Sequence, residues 1–442
     1  MKLNGTLIKS AIVAALGGLV FGFDTVVISG TTDTLTRLFA LSAFLKGVTV
    51  ASALLGTVFG AMLAGIPGEK IGRRDSLRIT GVLYLVSALG CALAWDWNSL
   101  IFFRFVGGLG IGASSVLGPM YIAEIAPAKL RGRLVGLFQF NIVFGILTAY
   151  FSNYLIVRQH LGDNEWRWEF GVATIPALLF FVLLFAIPRS PRWLVKQGRV
   201  EEARSVLKLI GEENYEAELQ EIVESIRTEQ QQTGEALFSA KHRLPIFLAV
   251  SIGVFNQLSG INAILYYLPD IFMHAGFNKV SSNLQAVAIG ATNLIFTVIA
   301  MSLIDKVGRK ILLLIGAAGT ASCMAGVAAI FFTHQHEPWL VWLLVAYIAF
   351  FAFSQGAVIW VYLGEVFPNA VRAKGQSLGS LSHWVMNTLI SLIFPVMAAA
   401  SGGYPFVFFS TMTVIQFLVV LFVFPETKGI TLEAMQKKMG IS

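Results

Sequence analysis

Apolar stretches recur twelve times along the chain, at about 8–30, 44–66, 76–95, 99–122, 134–157, 169–187, 244–273, 282–304, 310–332, 339–364, 375–400 and 404–424, parted by short polar connectors. At 1.5 Å per residue, runs of about twenty residues cross the hydrocarbon core of a bilayer as helices. The pattern predicts an all-α membrane protein of twelve transmembrane helices. One connector is long and polar, residues 189–243. Within it Arg199–Arg227 sets Val, Leu and Ile among charges at helical spacing, which predicts short amphipathic helices along the cytoplasmic ends of the spans; a solvated linker is the other reading. The expected organisation is a six-helix half over 1–188, a cytoplasmic helical linker over 189–243, and a second six-helix half with a short cytoplasmic tail over 244–442.

The two halves repeat. Glu69-Lys-Ile-Gly72-Arg73-Arg74 is echoed by Asp305-Lys-Val-Gly308-Arg309-Lys310, and Glu124-Ile-Ala-Pro…Arg131-Gly-Arg by Glu365-Val-Phe-Pro…Arg372-Ala-Lys. A near-constant offset across two separate motifs implies pseudo-symmetric halves in parallel repeat, the arrangement of transporters that rock around a midplane site.

Composition agrees: 56% of the 442 residues are hydrophobic and only 13% charged, about half the share expected of a soluble domain. The first apolar run is too long for a signal sequence and lacks a cleavage pattern, so it reads as the first span. A net charge of +7 would suit nucleic acid, but the placement of the basic residues speaks for a membrane. With a cytoplasmic N-terminus, only Arg37, Lys46, Arg158, Arg167 and Lys279 fall in outer loops and Arg104 inside a span, leaving 26 of the 32 Lys and Arg on the inner side. Both termini are then cytoplasmic, and the short outer loops, with the one Asn-x-Ser/Thr site at Asn4 on the inner side, favour a bacterial inner membrane. Cys91 and Cys323 sit in apolar runs as packing residues, and no metal site or cofactor is expected. The glycines at 107, 108, 110 and 112 do not fit a dinucleotide fingerprint; inside a span they read as close helix packing. An enzyme is not expected.

Candidate chemistry concentrates in two places. Asn256–Tyr267, NQLSGINAILYY, carries amides, a serine and two tyrosines inside an apolar run. Ser259-Gly260 weakens that helix and Pro269 interrupts it again. A half-broken helix lined with amides suits a small neutral polyhydroxylated ligand, since an amide offers donor and acceptor together, as a hydroxyl does. Polar glue between packed helices is the alternative. The second place is the pair Asp24 and Arg104. Counted from the outer ends, Asp24 lies about 14 Å deep and Arg104 about 12 Å deep in spans running oppositely. A lone charge in lipid costs at least about 2.5 kcal/mol, which favours their facing each other or a water cavity. Protonation of Asp24 would free Arg104 and couple a proton to a conformational change; a static ion pair is the competing reading.

These residues, with Gly22-Phe-Asp24-Thr-Val-Val-Ile-Ser-Gly30, Pro188-Arg-Ser-Pro-Arg-Trp193, Gln257-Leu-Ser-Gly-Ile-Asn262 and Pro425-Glu-Thr-Lys-Gly429, resemble the sugar porters of the major facilitator superfamily across essentially the whole chain, and in particular the bacterial proton-coupled pentose and hexose symporters. The resemblance implies the major facilitator fold, a monosaccharide such as glucose or xylose as substrate, and protons as the coupled ion. It implies sugar contacts from Gln139, Asn256, Gln257, Asn262, Tyr266, Asn293, Trp360, His383 and Trp384, with Phe21 closing the outer side. Trp360 and Trp384 would cover the apolar faces of the sugar, although a tryptophan in a span is more often an anchor or packing residue. Glu69, Arg73, Arg74, Glu124, Arg131, Asp305, Arg309, Glu365 and Arg372 resemble the family's inner salt-bridge gate; without the family they are positive-inside loop residues with acids nearby.

Six positions depart from the pattern. Asn256 stands for a longer amide and His383 for an amide; a neutral imidazole still offers one donor and one acceptor. Ala357 lacks the proline that often breaks span ten, so that helix should gate less sharply. Arg189 reverses a usual acid, and Glu69-Lys70 replaces Asp-Arg. The expected function is proton–monosaccharide symport by alternating access, with facilitative uniport, drug–proton antiport and a membrane sugar sensor as alternatives. A monomer in the bilayer is expected, with no nucleic-acid partner.

Overall fold

The computed structural model describes residues 4–127, 130–212, 214–231, 235–368, 371–430, Met435 and Met439; at Asp305 and residues 228–231 the description stops at the backbone. Every regular element among them is helical. Twelve helical segments are long and apolar enough to cross a membrane: Gly5–Leu38, Ala43–Lys70, Arg73–Ala92, Trp97–Ile125, Arg131–Val157, Gly162–Ala186, Ala240–Tyr266, Lys279–Ile304, Arg309–Thr333, Trp339–Glu365, Arg372–Ala400 and Tyr404–Val423. They are numbered spans 1 to 12, and "outer" and "inner" follow the orientation that the basic loops predict. Large apolar side chains left exposed, such as Phe102, Ile175, Leu179 and Trp342, face outward from the helices as lipid-facing residues do.

Two compact units form. One comprises Met1–Val27, Ser52–Ser152 and Gly162–Thr233; the other comprises Ile28–Ala51, Asn153–Leu161 and Gly234–Ser442. The outer ends of spans 1, 2 and 5 thus fold with the second unit. The connector between the halves carries helices at Pro191–Lys196, Val200–Leu209 and Tyr215–Gln231, and the stripe Leu219, Ile222 and Ile226 is buried as its spacing demands.

Local chemistry sets the helix ends. Asp96 and Ser99 form a reciprocal capping box that starts span 4, with the Ser99 amide donating to Asp96 Oδ1 at 2.8 Å. Spans 3 and 9 both start after a glycine with positive φ, Gly72 at 94° and Gly308 at 106°. That conformation strains any side chain, which explains the glycine in both copies of the repeated inner motif. Span 4 packs so closely on span 2 that a Cβ on Gly108 would stand 1.9 Å from the Ala53 carbonyl oxygen, the packing role expected of its glycines.

Spans 6 and 10 differ from the sequence expectation in ways that bear on the sites. Span 6 begins at 162, not near 169, because Trp166, Phe170 and the flanking polar residues pack as helix well before the continuous apolar run starts. Arg167, expected in a loop, lies in that helix and donates to the Ala92 carbonyl at 2.9 Å. Span 10 breaks without a proline: its helix stops at Phe353 and restarts at Gln355, with Ser354 at φ −117° and ψ −89°. Ser354 Oγ bonds back to the Phe350 carbonyl at 2.6 Å and packs against Gly316, where any Cβ would meet that oxygen. A side-chain bond to the backbone here supplies the interruption that Ala357 was expected to forgo.

Candidate substrate and coupling sites

Span 7 is built in pieces, Arg243–Leu258 and Ile261–Tyr266, and a third helical piece, Leu268–His274, continues it past Tyr266 as its outer extension. Gly260 makes the first break at φ 88°, and a Cβ there would lie 2.3 Å from the Phe409 ring. The freed backbone is satisfied locally: Tyr347 Oη donates to the Ser259 carbonyl at 2.9 Å, and Ser259 Oγ to the Asn256 carbonyl at 2.7 Å. The break orients the amides. Gln257, only 1% exposed, donates from Nε2 to Asn256 Oδ1 at 3.0 Å and accepts from Asn262 Nδ2 at 3.2 Å. The same Nε2 lies 3.3 Å from a ring nitrogen of His383 on span 11. His383 is flanked by Trp384 at 5.1 Å between ring centroids and by Trp360 of span 10 at 5.3 Å; Trp360 keeps 41% of its surface exposed.

One unit therefore gathers Asn256, Gln257, Asn262, Trp360, His383 and Trp384 into a connected group of hydrogen-bonding and aromatic side chains. Tyr266 sits beside it, its hydroxyl accepting from Asn387 Nδ2 at 3.0 Å, and Asn387 Oδ1 in turn accepts from Ser391 Oγ at 3.2 Å. Asn293 on span 8 is buried, and its Oδ1 accepts from Thr297 Oγ1 at 3.5 Å. Asn387 and Ser391 were absent from the sequence reading, yet the signal is there: 383, 387 and 391 recur every fourth residue, a polar stripe along one helix face.

The other unit holds Phe21, Gln139 and the charged pair. Asp24 and Arg104 are both buried. Asp24 Oδ2 and Arg104 Nε have no hydrogen-bond partner among the described residues. The arginine's guanidinium stands 5.6 Å from the Phe170 ring of span 6. Gly107 leaves room for this arrangement: a Cβ there would meet Ser87 Oγ at 2.3 Å and Asp24 Oδ2 at 3.5 Å. Glu169 is fully buried in the same unit, seven residues into span 6, as Arg104 is seven residues into span 4. Placing the start of span 6 near 169 hid its depth.

At the inner ends each half closes a network of its own. Arg73 donates to Glu124 at 3.0 Å, to Glu69 at 2.9 Å and to the Gly68 carbonyl at 2.7 Å, while Ser190 Oγ donates to the second oxygen of Glu124 at 2.5 Å. In the second half Arg309 grips Glu365 through two bonds, at 2.8 and 3.2 Å, and Thr427 Oγ1 donates to Glu365 at 2.6 Å. The repeat thus extends to a hydroxyl in each half, Ser190 on Glu124 and Thr427 on Glu365. Arg74, Arg78 and Arg189 converge on Asp75 at 2.8 to 3.1 Å, so the reversed charge at 189 finds a carboxylate. Glu426 accepts from the backbone N–H groups of Arg309, Lys310, Thr427 and Lys428 at 2.9 to 3.0 Å, capping span 9. Burial opposes its charge, but those four bonds outweigh it and hold its pKa below the usual glutamate range. Arg131 is exposed, Arg372 half-buried, and the side chain of Asp305 lies outside the described residues.

Comparison with known proteins identifies the family. The family model described as "Sugar (and other) transporter" matches residues 10–439. The D-xylose-proton symporter of Escherichia coli K12 is 38% identical, covering 96% of this chain and 94% of its own. The arabinose-proton symporter of Bacillus subtilis is 36% identical over 98% and 95%. The inward open conformation of the E. coli xylose transporter superposes with a TM-score of 0.88 at 37% identity, over 98% of this chain and 99% of that one. With its twelve spans and paired inner motifs, the chain is a multi-pass membrane protein that belongs to the sugar transporter family of the major facilitator superfamily.

Proposed function

We propose that this protein carries a monosaccharide together with a proton by alternating access, as a monomer in a bacterial inner membrane with both termini in the cytoplasm. The observation that carries the reading is the polar chain from Asn256 through Gln257 to Asn262 and His383, flanked by Trp360 and Trp384. A sugar hydroxyl both donates and accepts, and this chain presents both functions within one helix break. Aromatic faces beside it suit the C–H faces of a sugar ring. The relatives named for xylose and arabinose transport make those two pentoses the first substrates to test.

For coupling, Asp24 is the proton carrier and Arg104 the partner whose interaction changes when the carboxylate is protonated. Their burial at similar depth supports this, as a membrane-embedded charge persists where it serves a pathway. The inner networks act as the gate: Arg73–Glu124 and Arg309–Glu365 hold their halves in the form that one state of the cycle requires. The basic inner loops support the orientation. The test is uptake into proteoliposomes with a panel of xylose, arabinose, glucose and galactose, with and without an inward proton gradient. Accumulation of one sugar above equilibrium only with the gradient is the expected result. Downhill entry unaffected by the gradient would make the protein a uniporter, and no sugar entry would overturn the reading.

A further inference from the structure

The outer piece of span 7, Leu268–His274, carries a carboxylate that the transport reading does not use. Asp270 is 6% exposed. Its Oδ2 lies 2.7 Å from Lys46 Nζ of span 2 and accepts from Thr32 Oγ1 of span 1 at 2.9 Å. The ammonium also stands 6.0 Å from the Tyr267 ring. Around this contact the helices are tightly joined. A Cβ on Gly47, next to Lys46, would stand 2.2 Å from the Leu392 carbonyl of span 11, and Lys279 of span 8 donates to Thr34 of span 1 at 3.0 Å. The ends of spans 1 and 2 therefore seal against spans 7, 8 and 11, and the ion pair is the charged part of the seal.

We propose that Lys46 and Asp270 form an outer latch that holds the last piece of span 7 closed beyond the sugar-contacting segment, and that the pair must part for sugar to enter from that side. Three observations carry this. The side chains are 17% and 8% exposed, so water and salt screen the pair far less than a surface salt bridge. Asp270 sits just past the interruption at Tyr267 (φ −116°, ψ 17°), so its piece can swing without unwinding Ile261–Tyr266. Asn262 and Tyr266 lie in the piece that ends at that interruption, Ile261–Tyr266, so displacing Leu268–His274 uncovers the segment that carries the candidate sugar contacts. The latch rests on the alternating-access part of the proposed function and is independent of proton coupling.

The two positions are not equivalent, which gives the proposal a sign. Lys46→Met leaves Asp270 buried without its counter-charge, and the carboxylate regains solvation only if the segment swings out. Asp270→Asn leaves an ammonium on a long flexible stem that reaches water on its own, so it should open the latch less. Lys46→Met/Asp270→Asn removes both charges and should lie closer to wild type than Lys46→Met alone. The measurement is the spin-label distance between Phe44→Cys and His274→Cys, both exposed positions, without sugar or gradient; both native cysteines are buried. Lys46→Met should raise the long-distance population about fivefold or more, and the double variant should reverse part of that rise. Thr32→Val, which removes one bond to the same oxygen, should give a smaller rise and serves if Asp270→Asn does not fold. Wild-type distances in both Lys46→Met and Thr32→Val would overturn the latch, and so would a double variant at least as open as Lys46→Met. Sugar uptake measured on the wild type tests the transport reading separately.

Discussion

Gln257→Ala is the sharpest probe of the substrate site, because the side chain sits at the junction of the polar chain. Its Nε2 serves Asn256 and lies within reach of His383, and its Oε1 takes the bond from Asn262. Truncation strips partners from up to three groups, Asn256 and His383 buried and Asn262 half-buried. If they stayed dry, each would cost about 1–3 kcal/mol, enough to threaten folding. In a site shaped for a polyhydroxylated ligand, water fills the gap of the lost amide, and the folding cost falls to a fraction of that sum. The binding cost persists, since the sugar hydroxyl loses a positioned donor and acceptor: about 1–3 kcal/mol, or about 5- to 150-fold in Kd. The two readings of this stretch thus differ in which quantity moves. Substrate contact predicts a large loss of affinity with a small drop in Tm, and helix glue predicts the reverse. Calorimetric titration of the transported sugar into folded protein, beside thermal unfolding of the same preparation, separates them. A Kd within twofold of wild type with a Tm lowered by several degrees would refute the substrate assignment.

Asp24→Asn should abolish gradient-driven accumulation while sugar exchange survives, because the amide mimics the protonated acid; undiminished uphill uptake by the variant would contradict the carrier role. Asn387→Ala removes the donor to Tyr266 and should weaken sugar binding about 5-fold or more, read by the same titration, with Asn387→Gln recovering part of it. Gly260→Ala must adopt a left-handed conformation against the Phe409 ring, a cost of about 1–2 kcal/mol in strain before any clash, so its Tm should fall by several degrees. Glu426→Gln should destabilise by about 1 kcal/mol, as loss of a helix cap does. The folded-state pKa of Glu426 lies below its unfolded value, so its contribution is complete above about pH 4.5 and fades as the pH falls through the folded value. The Tm gap between wild type and Glu426→Gln should narrow on acidification below pH 4.5; a gap constant with pH would contradict the charged cap.

Twelve spans, their order and the parallel repeat were legible without coordinates, because lipid forces every backbone group into helical bonds and leaves length and apolarity as sufficient signals. The break in span 7 was legible too, since Gly260 announces itself by type. The break in span 10 was not: Ala357 removed the expected proline, and the interruption depends on Ser354 bonding back to Phe350 while packed on Gly316, a contact between helices distant in sequence. The same limit explains Glu169, whose depth depends on where span 6 begins to pack, and Glu426, which reaches the amides of Arg309 and Lys310 only because two inner loops meet. Asn387 and Ser391 fall between these cases. Their spacing was visible in the sequence, but a polar stripe on a helix gains meaning only when the neighbouring helix supplies Tyr266 opposite it. Hydrophobic pattern and residue type determine which helices form and how they are capped. Which charge meets which carboxylate, Arg189 on Asp75 or Lys46 on Asp270, was left to the tertiary structure, because an ion pair a few ångströms long depends on the helix packing that brings its partners together.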